Sequence, residues 1–289
     1  MLGAAATLGA VTAGPRSTHR APSGDDVAAA IEEVAATIVL PRFQALAEGD
    51  VSEKGPGDLV TVADVEAEQA LTRWLTAAWP GSTVVGEEAV AADPQVLAAA
   101  PSHARVWVVD PIDGTRNFVA GSPDFAVMVA RVEHGRTVES WIHHPAVGST
   151  RAERGAGAEV DGRPLRRTPA PDAVAELAGT IVTGLLDPPT ARRVEERAGA
   201  VHELRPNAGA AGIQYPRVAR GDLDFVLWWR THVWDHAPGA LLLSEAGGCA
   251  VRLDGEDYEP WSDRRGLVVA ADRGTGDRVR ALLAPDGTL

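Results

Sequence analysis

At 289 residues the chain is long enough for one large domain or two compact halves, either with a sizeable core. Its hydrophobic content of 45% is that of an ordinary globular protein and argues against wholesale disorder. Lys plus Arg total 27 against 40 Asp plus Glu, a net charge of −13 that repels nucleic acid and anionic lipid at long range. Small anionic substrates stay open to it wherever cations line a site locally. The single cysteine, Cys249, excludes an internal disulfide and a Cys-based zinc site. It suits a reducing, cytoplasmic setting, and its place after Gly247-Gly248 reads as a small core position. No stretch reaches the ~18 apolar residues of a membrane span.

Residues 1–22 are rich in small residues and Pro, and read as a disordered extension. The first 14 lack the basic start and strong apolar run of a signal peptide. Ser23 is placed to cap a helix, with Asp25 and Asp26 in its first turn and Val27, Ile31, Val34 and Ile38 at helical spacing. A second helix is expected from near Asp64, with Leu71, Trp74, Leu75 and Ala78 as its apolar stripe and Pro80-Gly81 as its stop. Thr83-Val84-Val85 reads as a short strand running into Gly86-Glu87-Glu88. Arg105 to Val109 reads as a strand ending at Asp110, where Pro111 is expected to force a turn. Phe125–Val132 and Thr137–His143 form a hairpin about Glu133-His134-Gly135-Arg136, and Glu159–Leu165 continues the meander through an Asp161-Gly162 turn.

Beyond residue 168 strands and helices alternate. Strands are expected at Gly179–Leu185, Phe225–Trp229, Cys249–Leu253 and Leu267–Ala271. Helices are expected at Thr190–Ala200, after Trp234-Asp235 up to Gly247-Gly248, and near Asp277. The order predicts an α+β fold with a mostly antiparallel sheet. It divides into an N-terminal half, 23–167, with most of the acidic cluster, and a C-terminal half, 168–289, with Asp235.

The densest chemistry is Asp110-Pro111-Ile112-Asp113-Gly114-Thr115-Arg116-Asn117-Phe118. A hydrophobic strand delivers Asp110 to a sheet end, Gly114 permits an unusual backbone angle, and Thr115 opens a helix. Two carboxylates beside a helix N-terminus make sense once a hard cation is added. Oxygen ligands suit Mg²⁺, which also binds substrate phosphate. Taken alone, Asp-x-x-Asp-Gly is an ordinary strand-to-helix turn. Glu87 and Asp235, at the ends of two other elements, raise the motif above that reading.

Asp110-Pro111-Ile112-Asp113-Gly114-Thr115 with Asn117-Phe118 resembles the signature of the inositol monophosphatase family. Gly86-Glu87-Glu88, Trp234-Asp235 with Glu245-Ala246-Gly247-Gly248, and Lys54 with Asp58-Leu59-Val60-Thr61 and Asp64 resemble its other motifs, in family order. The resemblance implies an alternating α/β/α/β/α layered sugar-phosphatase fold, Mg²⁺ dependence, lithium sensitivity and a homodimer. By position it implies that Glu87, Asp110 and the Ile112 carbonyl hold one metal, and Asp110, Asp113 and Asp235 a second. Asp64 and Thr115 would prepare the attacking water, and the Gly114 and Thr115 amides would hold phosphate beside Asp113 and Asp235.

The substrate end departs from the pattern. Where many inositol-specific members carry Gly-Ser/Thr-Ala, this chain has Gly209-Ala210-Ala211, without the hydroxyl. A glutamate expected to grip inositol falls, by counting, on Trp228, which offers an apolar face instead. The expected activity is therefore hydrolysis of several small phosphate esters. Histidinol phosphate, fructose 1,6-bisphosphate and 3′-phosphoadenosine nucleotides stand beside inositol 1-phosphate as substrates. Of other classes, a catalytically silent binding protein would have lost a metal carboxylate. A nucleotide-binding Rossmann module would carry Gly-x-Gly-x-x-Gly after an early strand. His143-His144, His232 and His236 are expected to be structural. Trp228-Trp229 is open between a base-stacking surface and a strand with one buried and one exposed indole.

Overall fold

The computed structural model describes residues 20–55 and 57–289; the extension expected over 1–22 thus falls mostly outside the described residues. Helix α1 (Gly24–Val34) starts as the sequence dictates. Ser23 accepts the Asp26 N–H, and the Asp26 carboxylate accepts the Ser23 N–H in return, a closed capping box. Two short strands, β1 (Val51–Gly55) and β2 (Asp58–Thr61), form an antiparallel hairpin with little apolar content to announce it. Thr61 ends that hairpin and caps α2 (Val62–Ala78), with Asp64 closing a second capping box. The chain continues through β3 (Thr83–Gly86), α3 (Glu87–Ala92) and α4 (Gln95–Ala99) to β4 (Arg105–Asp113) and the short α5 (Thr115–Val119).

Strands β5 (Ala126–Glu133), β6 (Arg136–His144), β7 (Gly148–Glu153), β8 (Gly157–Val160) and β9 (Arg163–Leu165) follow as an antiparallel meander. They continue β4, which is itself parallel to β3, giving a seven-stranded sheet in the order β3-β4-β5-β6-β7-β8-β9. The second half contains β10 (Ala178–Val182), α6 (Pro188–Ala198), β11 (Glu203–Leu204), α7 (Ala211–Arg220) and β12 (Phe225–Trp228). It ends with α8 (Val233–Ala246), β13 (Cys249–Arg252), β14 (Leu267–Ala270) and α9 (Arg273–Leu283). Its sheet runs β11-β10-β12-β14-β13 with mixed directions.

The core shows the layering. Val27 and Ile31 of α1 and Leu71 and Leu75 of α2 pack on Trp107, Val109, Val127 and Trp141 of the first sheet. The opposite face of that sheet, through Met128 and Ile142, meets Tyr215 and Val218 of α7 and Leu241 to Leu243 of α8. Val226 and Trp228 of β12 press on the same helices from the other side. Because side chains alternate along a strand, Phe225 and Leu227 face outward to Val194 of α6 and Val279 and Leu283 of α9. The five layers are helix, sheet, helix, sheet, helix, as expected. Among the described residues no helix is long and apolar enough to cross a membrane.

Three local expectations change. The turn expected at Pro111 lies three residues later: the strand runs on to Asp113, with a register shift against β5 between Asp110 and Asp113. A bulge is where a strand tolerates proline, since no ladder hydrogen bond is lost there. Asp235 does not precede its helix; His232 is the cap and Asp235 lies in the first turn of α8. Cys249 is only partly buried, and its thiol donates to the Asp272 carbonyl at 3.3 Å.

Candidate active site

Gly114 is the joint on which the site turns. Its φ of +90° lies in the left-handed region, and a Cβ there would come within 2.9 Å of Ala210 Cβ and 3.0 Å of the Asp124 carbonyl. Asn117 steadies the turn by donating its side-chain amide to the Asp124 and Ala208 carbonyls, each at 2.7 Å. The α5 start is thereby fixed against the segment that leads into α7.

Asp110 and Asp113, delivered by β4, are both buried, at 1% and 7% exposure. Oδ1 of Asp110 has no hydrogen-bond partner. Burial first, and then the charges of Glu87, Asp113, Asp235 and Asp64, push the Asp110 carboxyl far above the usual carboxylate range. Burial likewise raises Asp113 to about 7, opposed by N–H groups at the start of α7. One of these, the Gly212 N–H, donates to Asp113 Oδ2 at 2.5 Å. Asp235 is driven up by burial, then by Asp113 and Glu87. Glu87 and Glu88, at the start of α3, share Lys54 Nζ at 2.5 and 2.9 Å. Burial raises Glu88 to about 7 against the pull of Lys54, whose ammonium it holds at 2.9 Å.

Asp64 is fixed from three sides. Its Oδ2 accepts the Thr61 N–H at 2.8 Å and the Thr61 hydroxyl at 2.5 Å. Its Oδ1 lies 3.1 Å from Thr115 Oγ1, which also lies 3.1 Å from the Ile112 carbonyl. The threonine hydroxyl has one proton and donates to only one of them at a time. Burial raises Asp64 to about 6, so it is a carboxylate at neutral pH but a stronger base than a free aspartate.

Do these residues fit a metal? Among the described residues no three His, Cys, Asp or Glu side chains already converge as a closed metal cluster. The fit rests on chemistry: five carboxylates, Asp64, Glu87, Asp110, Asp113 and Asp235, come together from four elements and drive up the proton affinity of Asp110 and Asp235, and Asp110 points a buried oxygen at no protein donor. An all-oxygen donor set with unspent charge suits a hard divalent cation. Asp64, Glu87, Asp110, Asp113, Thr115 and Asp235, read from the sequence, thus meet in one place.

Two members escaped sequence reading. Glu68 of α2, 5% exposed, accepts the Glu88 and Ala89 N–H groups at 2.7 and 2.8 Å and so positions α3. A Cβ at Gly86 would strike that carboxylate at 2.2 Å, which is why glycine precedes Glu87. The other is α7, whose first amides hold Asp113. Glu68 sits at an ordinary helical position and nothing in its spacing singles it out. Trp228 corrects an expectation: it is 8% exposed and stacked on Tyr215 with ring centres 5.1 Å apart. Tyr215 in turn hydrogen-bonds His236 Nδ1 at 3.0 Å. The apolar face expected at Trp228 is therefore spent on the core, and Trp229 is the half-exposed indole. His143 pairs with Ser149 at 2.8 Å on the first sheet, and His232 stacks on Trp234.

The model of the inositol monophosphatase family matches residues 23–284. The chain belongs to that family. Its members hydrolyse phosphate monoesters and depend on metal. An inositol-1-monophosphatase of Mycobacterium leprae is 35% identical over 235 residues, 79% of each chain. A histidinol-phosphatase of Chlorobaculum parvum is 33% identical over 240 residues, 76% of this chain and 85% of that one. The solved structure of the Thermotoga maritima IMPase superposes with a TM-score of 0.75 and 25% identity, covering 90% of this chain and 97% of that one. These relatives differ in the alcohol they are named for and agree on the phosphate ester.

Proposed function

We propose that the chain is a Mg²⁺-dependent phosphomonoesterase that hydrolyses small phosphate esters by direct attack of water. Glu87, Asp110, the Ile112 carbonyl, Asp113 and Asp235 would hold the metal. Bound there, a divalent cation supplies Lewis acidity, making water more acidic and offsetting charge on the leaving oxygen.

This chain's own part is to aim and deprotonate. Thr115 Oγ1 accepts a proton from the water while passing its own to Asp64 Oδ1, the 3.1 Å contact already in place. Thr61 keeps Asp64 from turning away by holding its other oxygen. The N–H groups of Gly114 and Thr115, at the left-handed turn, hold the phosphate oxygens. No serine or cysteine nucleophile takes part, so no covalent phosphoenzyme is formed. The same reading includes inhibition by Li⁺, a homodimer and a cytoplasmic setting.

One observation carries the proposal: a buried, unpartnered Asp110 oxygen surrounded by acidic side chains, with an Asp64–Thr115 pair beside it. On the substrate side, Ala210 has no polar side chain and buried Trp228 has no hydrogen-bond acceptor to grip a polyol hydroxyl. We expect inositol 1-phosphate to be one substrate among several. The test is phosphate release from a panel of inositol, sugar, nucleotide and histidinol phosphates, with Mg²⁺ and with chelator. Turnover unaffected by chelator would rule out the metal mechanism. A thousandfold preference for inositol 1-phosphate would rule out the broad substrate reading.

A further inference from the structure

Two helices set the placement of two of the site's carboxylates, and each is weakened just where it does so. Asp235 lies in the first turn of α8, and Asp113 is held by the Gly212 N–H in the first turn of α7. Each helix carries a proline as its sixth residue, Pro216 in α7 and Pro238 in α8. A proline has no N–H to give to the carbonyl four residues back. The Gly212 and Trp234 carbonyls therefore receive no helical bond from those positions, and the first turn of each helix is tied less firmly to the next.

One buried hydrogen bond runs between the two helices. Tyr215 Oη and His236 Nδ1 are 3.0 Å apart, and the two residues are 0% and 1% exposed. The other ring nitrogen of His236 lies 3.2 Å from the Arg230 carbonyl. A carbonyl only accepts, so Nε2 carries the ring proton and Nδ1 accepts from the Tyr215 hydroxyl. The stretch that offers this carbonyl is itself fixed on both flanks. The Gly266 N–H donates to the Trp229 carbonyl at 2.9 Å, and Thr231 Oγ1 donates to the Arg264 carbonyl at 2.9 Å. Glycines let the backbones close in. A Cβ at Gly239, one turn after Asp235, would strike the Tyr215 ring at 2.2 Å. A Cβ at Gly212, three residues before Tyr215, would come within 3.0 Å of Asp113 Oδ2 and 2.8 Å of Ala126 Cβ. Tyr215 thus meets α8 on the face that carries Asp235, and stands one turn from the amide that holds Asp113.

We propose that Tyr215 and His236 are positioning residues for the divalent cation. Their hydrogen bond sets the register of α7 on α8, and with it the separation of Asp113 from Asp235. The inference rests on the reading of those carboxylates as metal ligands, and it adds the device that spaces them. Neither side chain takes part in the reaction. Unlike apolar contact, the bond is directional: a slip of about 1 Å between the helices takes it beyond hydrogen-bond range.

Tyr215→Phe keeps the ring and its stack on Trp228 and removes only the hydroxyl. Mn²⁺, a divalent ion that also takes oxygen ligands, reports binding to the folded protein without any turnover. Read from the EPR signal of the free ion, Mn²⁺ affinity in this variant is expected to fall about tenfold, the low end for groups that orient metal ligands. The Mg²⁺ concentration for half-maximal phosphate release should rise by a similar factor. At saturating Mg²⁺, kcat and substrate KM should change little, because the ligands themselves are intact. His236→Leu should weaken Mn²⁺ binding at least as much, and the double variant no further than His236→Leu alone, since both remove the same bond. Val218→Ala trims a buried side chain three residues along α7 and leaves the bond alone. It should lower Tm and leave Mn²⁺ affinity unchanged. Unchanged Mn²⁺ affinity in Tyr215→Phe would overturn the positioning role. Equal weakening in Val218→Ala would also overturn it, because any loosening of α7 would then suffice. The metal-ligand reading fails separately, if Asp113→Asn binds Mn²⁺ as tightly as the unaltered protein, and the positioning role falls with it.

Discussion

The two ends of the site are built on opposite terms. At the phosphate end, charged groups are buried without enough partners: Asp110 keeps an unpaired oxygen, and Asp113 and Asp64 hold protons more tightly than free carboxylates do. At the alcohol end, the side chains nearest the helix layer are spent on one another, Trp228 on Tyr215 and Tyr215 on His236. Groups whose charge is desolvated and uncompensated are prepared for a reaction. Groups that are packed and satisfied are not. The chemistry is thus written into the first end, and the second is spent on packing.

The comparison breaks most easily at Asp110. Asp110→Asn keeps the shape and removes the charge on which Glu87, Asp113 and Asp235 all bear. We expect kcat to fall about 10³-fold, roughly 4 kcal/mol, in phosphate release with saturating Mg²⁺. Near-normal turnover would mean that the buried carboxylates are structural. Thr115→Ala and Asp64→Asn come next, with a loss of about 10²-fold in kcat and little change in KM, because they act on the water and not on bound substrate. Asp64 also caps α2, so the Asn variant needs a thermal melt beside the kinetics. A pure KM effect in both variants would remove the pair from the proton path.

The same division governs what the sequence made legible. Asp110, Asp113, Gly114 and Thr115 lie in one run of chain, and residues that must make a tight turn together advertise it by their spacing. The Ser23 cap, the Asp161-Gly162 turn and the Gly247 stop are local in the same way, and each lies where the pattern placed it. Helix α7 was not legible. Ala210 caps it without a hydroxyl, Gly212 falls in its first turn and Pro216 lies inside it, so the local signals argue for a loop. Packing overrides them, since Tyr215 and Val218 fill the space between the sheets. Glu68 was hidden for another reason: its partners, the amides of Glu88 and Ala89, are twenty residues away and exist only once α3 is in place. The burial of Trp228 is equally non-local, set by Tyr215 and by strand alternation.

Proton linkage gives a finer probe of the phosphate end. A carboxyl whose folded pKa is raised holds its proton more tightly in the native state. The stability it contributes is present below the ordinary carboxylate value and is lost as pH rises through the folded value. For Asp64 and Asp113 that window runs up to about 6 and about 7. A cation held by Asp113, with Asp110 and Asp235 raised beside it, needs these carboxylates ionised and displaces their protons. The rise in Tm on adding Mg²⁺ is therefore expected to be small at pH 5 and distinctly larger at pH 8. Apparent Mg²⁺ affinity should change up to about tenfold per pH unit for each carboxylate that must ionise. Equal thermal shifts at both pH values would mean that Mg²⁺ binds away from this cluster.

The smallest expected effect lies at the alcohol end, at Ala210, where one atom separates the two designs. Ala210 is the cap of α7, with extended backbone angles of φ −148° and ψ 129° and no side-chain hydrogen bond. A serine there has the conformation of a good N-cap. Its hydroxyl oxygen can accept from an amide in the first turn of α7, and the Gly212 N–H is already given to Asp113, which leaves Ile213. Ala210→Ser is thus expected to stabilise the protein by about 0.5–1 kcal/mol, read as a modest rise in Tm. The same hydroxyl keeps its proton for a substrate, so the variant should gain inositol 1-phosphate turnover relative to glycerol phosphate by less than about tenfold, the worth of one neutral hydrogen bond. The two gains come from different atoms, oxygen for the cap and hydrogen for the substrate, and they should appear together. A rise in Tm with unchanged kcat/KM for inositol 1-phosphate would show that position 210 does not face the alcohol. A fall in both would show that the 5% of Ala210 left exposed is too little room for an added oxygen beside Gly114.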